Sequence, residues 1–246
     1  MIKKTLPNSL KNFVKKILYK NNNLFSSNSQ AREDVMLKYL FRKYIYQSYK
    51  GFYIDIGAFD PVKGSNTKIF YDYGWSGINI DANPSSIQKF NKHRKHDINI
   101  NIGISEHESI KPFYYFGSKD GINSFSESFI TKNGQKNNVK KILKIETKTL
   151  SSILDFYLPS SMIIDFMDID AEGLDFEVLK SNNWVKYRPK ILLVELEARN
   201  FDNILNHEIS KYLSKKNYEP FYRTFIGGSV GTVFFIDIKQ KDDFFY

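Results

Sequence analysis

A chain of 246 residues, 41% hydrophobic and 16% aromatic, can bury a sizeable core, which excludes wholesale disorder and fits one large α/β domain with a cap. It has no cysteine, so disulfides, thiolate metal sites and a cysteine nucleophile are excluded together, a composition that fits a cytoplasmic protein. The net charge of +9 is concentrated: residues 1–23 carry six lysines and no acid, leaving 30 basic against 27 acidic groups elsewhere, too even a balance for a body that binds nucleic acid.

No apolar run approaches the roughly 20 residues of a transmembrane helix, and lysines interrupt every apolar stretch of the first 23 residues, unlike a signal peptide. Ser9 to Lys20 reads as an amphipathic helix with Leu10, Phe13, Val14, Ile17 and Leu18 on one face. Such a helix either attaches to an anionic membrane surface, here the inner face, or packs on its own domain with its lysines solvated. Residues 1–28 therefore form a basic arm and residues 29–246 the domain proper.

A second helix is predicted from about Gln30 to Ser48, with Glu33 and Asp34 in the first turn where its dipole favours acids. Phe52–Ile56 reads as a buried strand, interrupted by Asp55 and stopped by Gly57. Ser65 or Asn66 can cap a helix through Tyr73. Ile78–Ile80 is a second strand, ending at Asp81. Asn83-Pro84 opens a helix to about His93. Ile98–Ile102, Ile110–Phe116 and Ile142–Thr147 read as strands. Residues 117–140 between the last two form a long irregular loop, either closing on a ligand through Asn123–Phe125 or lying mobile on the surface. Thr149 caps a helix through Tyr157. Ser161–Gly173 reads as an apolar strand ending in acids and a glycine, and a short helix covers Leu174–Lys180. Pro189–Val194 is a strand ending at Glu195 and Glu197, followed by a helix over Ile204–Lys216. Tyr218–Phe225 and Thr232–Ile238 form a closing hairpin. Strands alternating with helices predict a doubly wound, mostly parallel sheet with an antiparallel edge strand.

Four strands thus end in acids: at Asp55, at Asp81, at Asp168, Asp170 and Glu172, and at Glu195 and Glu197. In a doubly wound sheet those ends face one crevice, and an acid on the second strand can accept hydrogen bonds from a ribose diol. One such acid is an ordinary cap; four are not. The turn after the first strand is not G-x-G-x-x-G, and it sets Asp60 and Pro61 where a pyrophosphate needs backbone N–H groups. An acidic turn suits a cationic ligand end better, such as the amino group and sulfonium of S-adenosylmethionine.

From about Ser29 to Ile238 the chain resembles the FkbM-type S-adenosylmethionine-dependent methyltransferases. The matching pieces are Ser29-Gln30 with Glu33-Asp34, then Phe52 to Pro61, Gly64 to Thr67, Gly74 to Pro84, and Ile169 to Gly173. Ala171 and Asp175 depart mildly, standing where the family often has valine and glutamate. The resemblance implies a class I methyltransferase fold, Rossmann-like, with seven strands, the last inserted antiparallel, and an N-terminal helical cap. It implies methylation of an oxygen, commonly a sugar hydroxyl of a glycan or glycoconjugate. Asp55 and Gly57 would line the methionine end, Asp81 would hold the ribose, and Ser65, Asn66 and Thr67 would sit near the cofactor. Gly103 to Ser105 would bind the adenine edge.

A sugar hydroxyl is a weak nucleophile, so a base or a metal helps. Asp170 and Glu172 are the candidate catalytic acids. They either take the proton or hydrogen-bond substrate hydroxyls. Alternatively Asp170, Glu172 and Glu195 hold a hard divalent ion through oxygen ligands, the less favoured reading. His93, His96, His107 and His207 show no metal spacing, and Trp75 and Trp184 read as packing aromatics. Two rivals stand beside this: a metal-dependent glycosyltransferase using Asp168-x-Asp170, and a non-catalytic membrane-associated module of the same fold.

Overall fold

The computed structural model describes residues 26–117 and 121–245. The predicted helix of Ser9–Lys20 and the membrane contact through residues 1–23 fall outside them. The described strands are β1 (Phe52–Ile56), β2 (Ser76–Asp81), β3 (Ile98–Asn101), β4 (Gly103–Ile104), β5 (Ser109–Tyr115), β6 (Lys141–Lys148), β7 (Phe166–Ile169), β8 (Ile191–Glu197), β9 (Tyr218–Arg223) and β10 (Val230–Asp237). Seven of them form one sheet in the order β3-β2-β1-β7-β8-β10-β9. Pairing is parallel from β3 to β8, and β10 runs antiparallel to both β8 and β9. A separate three-stranded sheet, β4-β6-β5, stands beside it.

The antiparallel strand is not at the edge. β10 lies one place in, as the resemblance implied, and β9 takes the edge. Composition explains the choice. β10 carries Val233–Ile236, buried throughout, whereas β9 contains Pro220, which cannot donate to a ladder and is tolerated at an edge.

Side-chain alternation divides the core into two faces. Ile54, Ile56, Met167, Ile169, Leu192 and Val194 pack on one side with Leu150, Ile153, Val178 and Leu179. Tyr53, Phe166 and Leu193 point the other way, into Leu37, Leu40, Phe41, Phe70 and Trp75. Trp75 and Trp184 are buried packing residues, as read from the sequence. The helix over Pro84–His93 begins as predicted, with the Asn83 side chain accepting from Ser85 N and Pro84 at the first position. Thr149 likewise caps Leu150–Tyr157 by accepting from Ser152 N.

Two predicted helices are broken. The first becomes Glu33–Leu40 and Arg42–Tyr46, split where Phe41 turns its fully buried ring against Trp75 and Phe244. The second becomes Phe201–Asn206 and Glu208–Ser214. His207 between them is extended and accepts from Ile209 N through its ring. The loop of residues 117–140 contains a helix, Glu127–Lys132, capped by Ser126.

At the end of the sheet where β1 and β7 begin, fully buried Asp165 accepts from Phe52 N (2.9 Å) and Tyr49 Oη (3.1 Å) and pairs with Lys190 (2.7 Å). Asp165→Ala strands the Lys190 ammonium and the Phe52 N–H together. It should lower stability by about 3–5 kcal/mol, the usual cost of halving a buried pair. Urea unfolding checks this.

Candidate active site at the strand ends

The alternation that buries Tyr53 and Phe166 also directs Asp55 and Asp168 to their face, and the parallel register sets the two abreast. Asp168 is level with Leu193, so two residues on Asp170 comes level with Glu195. Carboxylates of three neighbouring strands are thus gathered by a period of two. Asp55 accepts from Thr67 Oγ1 (2.8 Å), and Asp168 accepts from Asn66 Nδ2 (2.7 Å). Burial pushes Asp55 up to about 6, and Asp168 well above the usual range with Asp55 adding to it.

Gly57 follows β1 at φ +80°, and a Cβ there would lie 1.8 Å from the Asp170 carbonyl oxygen. Beside this close approach lies a cavity of about 560 Å³, within the range of small-molecule sites. Asp55, Gly57, Ser65, Asn66, Asp81, Gly103, Asp168, Asp170 and Glu172 all line it, with Ile80, Ile102, Ile104 and Val178 forming an apolar wall. Asp81 ends β2. Its two oxygens accept from Phe59 N (2.8 Å) and Asn83 N (2.6 Å), and each keeps acceptor capacity for a ligand. Burial raises Asp81 to about 6.

Asp170, Glu172 and Glu195 each bring a carboxylate oxygen within 4.8 Å of the others. None accepts a hydrogen bond or pairs with a cation among the described residues, and Asp170 Oδ1 is shielded from solvent without a partner. Burial first, and mutual repulsion second, raises Asp170 well above its ordinary value. The same burial lifts Glu172 to about 8 and Glu195 to about 7. Glu172 has the left-handed φ of +48°, rare for a residue with a Cβ, and its carbonyl accepts from Ser124 Oγ (2.7 Å).

Other sequence-predicted residues fall elsewhere. Thr67 is fully buried behind Asp55, so it positions that acid and does not face the cavity. Ser105 is off the cavity altogether. β4 is only two residues long, and beyond it the Ser105 hydroxyl turns to Glu177 (3.1 Å) and Lys111 (2.6 Å). Asp60 does not meet a ligand end. It pairs with Lys89 (3.0 Å) and closes a turn by accepting from Val62 N and Lys63 N. Glu33 is buried and accepts from Thr224 Oγ1 (2.6 Å), tying its helix to the closing hairpin. Asp34 holds Ser27 and Asn28. The four histidines line no part of the cavity. Asp168 accepts from Asn66 and stands outside the Asp170, Glu172 and Glu195 group.

Gln30, which lies in one of the matching pieces, and Ile122 also line the cavity, as do Asn123, Ser124 and Phe125. Gly103 admits the Phe125 ring, which would lie 2.5 Å from a Cβ there.

The family model for the methyltransferase FkbM domain matches residues 55–220. The chain belongs to the FkbM methyltransferase family. No curated protein matches it. The FkbM match begins at Asp55 and ends in β9, so it spans every strand end that contributes an acid to the cavity. No helix among the described residues is long and apolar enough to cross a membrane.

Proposed function

We propose that this FkbM-family chain is an S-adenosylmethionine-dependent O-methyltransferase of class I fold that acts on a sugar hydroxyl of a glycan or glycoconjugate precursor. The observation that carries this reading is the convergence of strand-end carboxylates on one cavity beneath Gly57. A cavity with an apolar wall at one end and acids at the other suits a ligand with a flat base, a diol and a cationic tail. Asp55 and the backbone at Gly57 hold the methionine end. Asp81 accepts from the ribose hydroxyls. The apolar wall beside Gly103 takes the adenine.

S-adenosylmethionine supplies a methyl group already activated on a sulfonium. The chain's task is to align an acceptor oxygen and receive its proton. Holding reactants in line removes several kcal/mol of barrier. Glu172, with Asp170 beside it, takes the hydroxyl proton, since a carboxylate raised to about 8 is a far better base than an ordinary one. A second reading is favoured by the mutual approach of Asp170, Glu172 and Glu195: the same oxygens suit a hard divalent cation.

Thermal denaturation tests the cofactor. S-adenosylhomocysteine at 100 times its Kd should stabilise the fold by about 2.7 kcal/mol. Nucleotide sugars with manganese should not. The reverse pattern would overturn the reading in favour of glycosyl transfer. Methyl transfer from labelled S-adenosylmethionine to surface-glycan precursors then tests the acceptor class. Asp81→Ala should weaken S-adenosylhomocysteine binding about tenfold or more, the worth of one or two charge-assisted hydrogen bonds. Equal affinity in calorimetry removes Asp81 from the ribose role. Co-sedimentation with anionic vesicles, with and without residues 1–23, tests the basic arm as a peripheral membrane contact.

A further inference from the structure

Arg94 follows the helix of Pro84–His93 and is fully buried. Its Nε and Nη2 both donate to the Pro61 carbonyl (2.9 and 2.8 Å), Nη2 also donates to Ser65 Oγ (3.0 Å), and Nη1 donates to Tyr53 Oη (3.1 Å) and the Thr67 carbonyl (3.4 Å). The Tyr71 ring lies 4.9 Å from the guanidinium carbon, and the sealed carboxylate of Asp97 is 3.8 Å away. This planar fork binds both ends of the segment from Pro61 to Thr67, a task an ammonium does poorly. Ser65 and Asn66 of that segment line the cavity, and Thr67 donates to Asp55. A buried ion pair adds little stability over well-packed apolar side chains, so its place beneath the site calls for another reason.

We infer that Arg94 is a positioning residue of the candidate active site: its fork fixes the Pro61–Thr67 segment and, through Thr67, aims Asp55 at the cationic end of the ligand. The inference rests on the cofactor reading for what Asp55 grips, though not for the geometry.

The charges around Asp55 set the sense of the effect. Asp168 stands abreast on β7, Asp81 ends β2, and Asp97 lies beyond Arg94; all three favour the protonated form of Asp55. Glu33 acts the same way on Asp168. Burial, the largest influence, acts with them, and the Thr67 hydroxyl and Arg94 oppose. Without the guanidinium, Asp55 should hold its proton to higher pH.

Two variants separate charge from fork. Arg94→Gln keeps a donor and loses the charge, whereas Arg94→Lys keeps the charge and loses the fork. Carboxyl carbon NMR of ligand-free protein, with Asp55 assigned from Asp55→Asn, follows the titration. Arg94→Gln should raise the Asp55 midpoint by about one pH unit, and Arg94→Lys, which keeps the charge but loosens Thr67, should raise it by less. Calorimetry with S-adenosylhomocysteine at pH 7.5 should show about tenfold weaker binding in Arg94→Lys. A folded Arg94→Gln with the parental midpoint, or Arg94→Lys with the parental Kd, overturns the inference. If Arg94→Gln does not fold, Arg94→Lys decides. If the parent itself binds no S-adenosylhomocysteine, the cofactor reading falls, and the NMR midpoints alone decide for Arg94.

Discussion

Gly57→Ala should cost more than any other single-methyl addition at the site. Gly57 sits at φ +80°, and its new Cβ would lie 1.8 Å from the Asp170 oxygen and 2.7 Å from the Asp170 carbonyl carbon. Both are backbone atoms, so no side chain can swing aside. The surrounding chain is also pinned. Gly57 N donates to the Ile80 carbonyl (2.9 Å), and Asp170 N donates to the Ile56 carbonyl (3.0 Å). Relief therefore requires β1 and β7 to part at their tips, moving Asp170 and Glu172. Left-handed strain and overpacking each cost about 1–3 kcal/mol. S-adenosylhomocysteine affinity should fall at least about a hundredfold, since about 3 kcal/mol of site distortion is that large a factor. Gly227→Ala serves as the control. A Cβ there meets nothing within 4 Å, and stability should change by less than about 0.5 kcal/mol. Parental binding by Gly57→Ala would mean that the cavity beneath this glycine is not where the cofactor sits.

What could be read in the sequence is what local chemistry dictates. Phe52–Ile56 is an apolar run closed by a glycine, and β1 has those bounds. Asn83-Pro84 and Thr149 announce helix starts because a side-chain acceptor followed by a compatible first turn leaves little choice. The acids at the strand ends were visible one by one. Their meeting at one crevice was expected from the doubly wound pattern, but the register that pairs Asp55 with Asp168 is a property of the fold and not of any segment. Three features needed tertiary structure. Phe41 breaks a helix that its neighbours favour, because a pocket between Trp75 and Phe244 accepts its ring. Ser105 follows a cofactor-like strand end, yet its hydroxyl is claimed by Lys111 and Glu177, both distant or unremarkable in sequence. Arg94 has the look of a solvated residue between His93 and Lys95. Nothing local signals that Pro61, Ser65 and Thr67 will close over it.

Glu172→Gln is expected to strengthen the fold while crippling turnover. Glu172 has a folded value of about 8, above its ordinary 4.5, chiefly because burial penalises the charge and then because Glu195 and Asp175 lie close. Below about pH 4.5 the folded and unfolded chains both hold the proton. Between 4.5 and 8 the unfolded chain releases it and the folded chain keeps it, so parental stability falls across this window as pH rises. Glutamine carries no charge at any pH and brings an N–H donor to carboxylates that accept none among the described residues. The stability difference between variant and parent, from urea unfolding, should therefore be small at pH 4.5 and grow to its maximum above pH 8. Glu195, raised to about 7, should give Glu195→Gln the same sign over a narrower window. Turnover behaves oppositely. Loss of a positioned base typically removes about 10²–10⁴ of rate. S-adenosylhomocysteine should still bind Glu172→Gln, because Asp55, Asp81 and the apolar wall are untouched. The two readings of the acids then separate on one addition. If they act as a base, magnesium and chelator leave parental stability at pH 8 unchanged, and kcat rises with pH toward 8 in the parent alone. If they hold a cation, magnesium stabilises the parent at pH 8, where the carboxylates are ionised, and fails to stabilise Glu172→Gln. Parental turnover in Glu172→Gln would remove that residue from the chemistry under either reading.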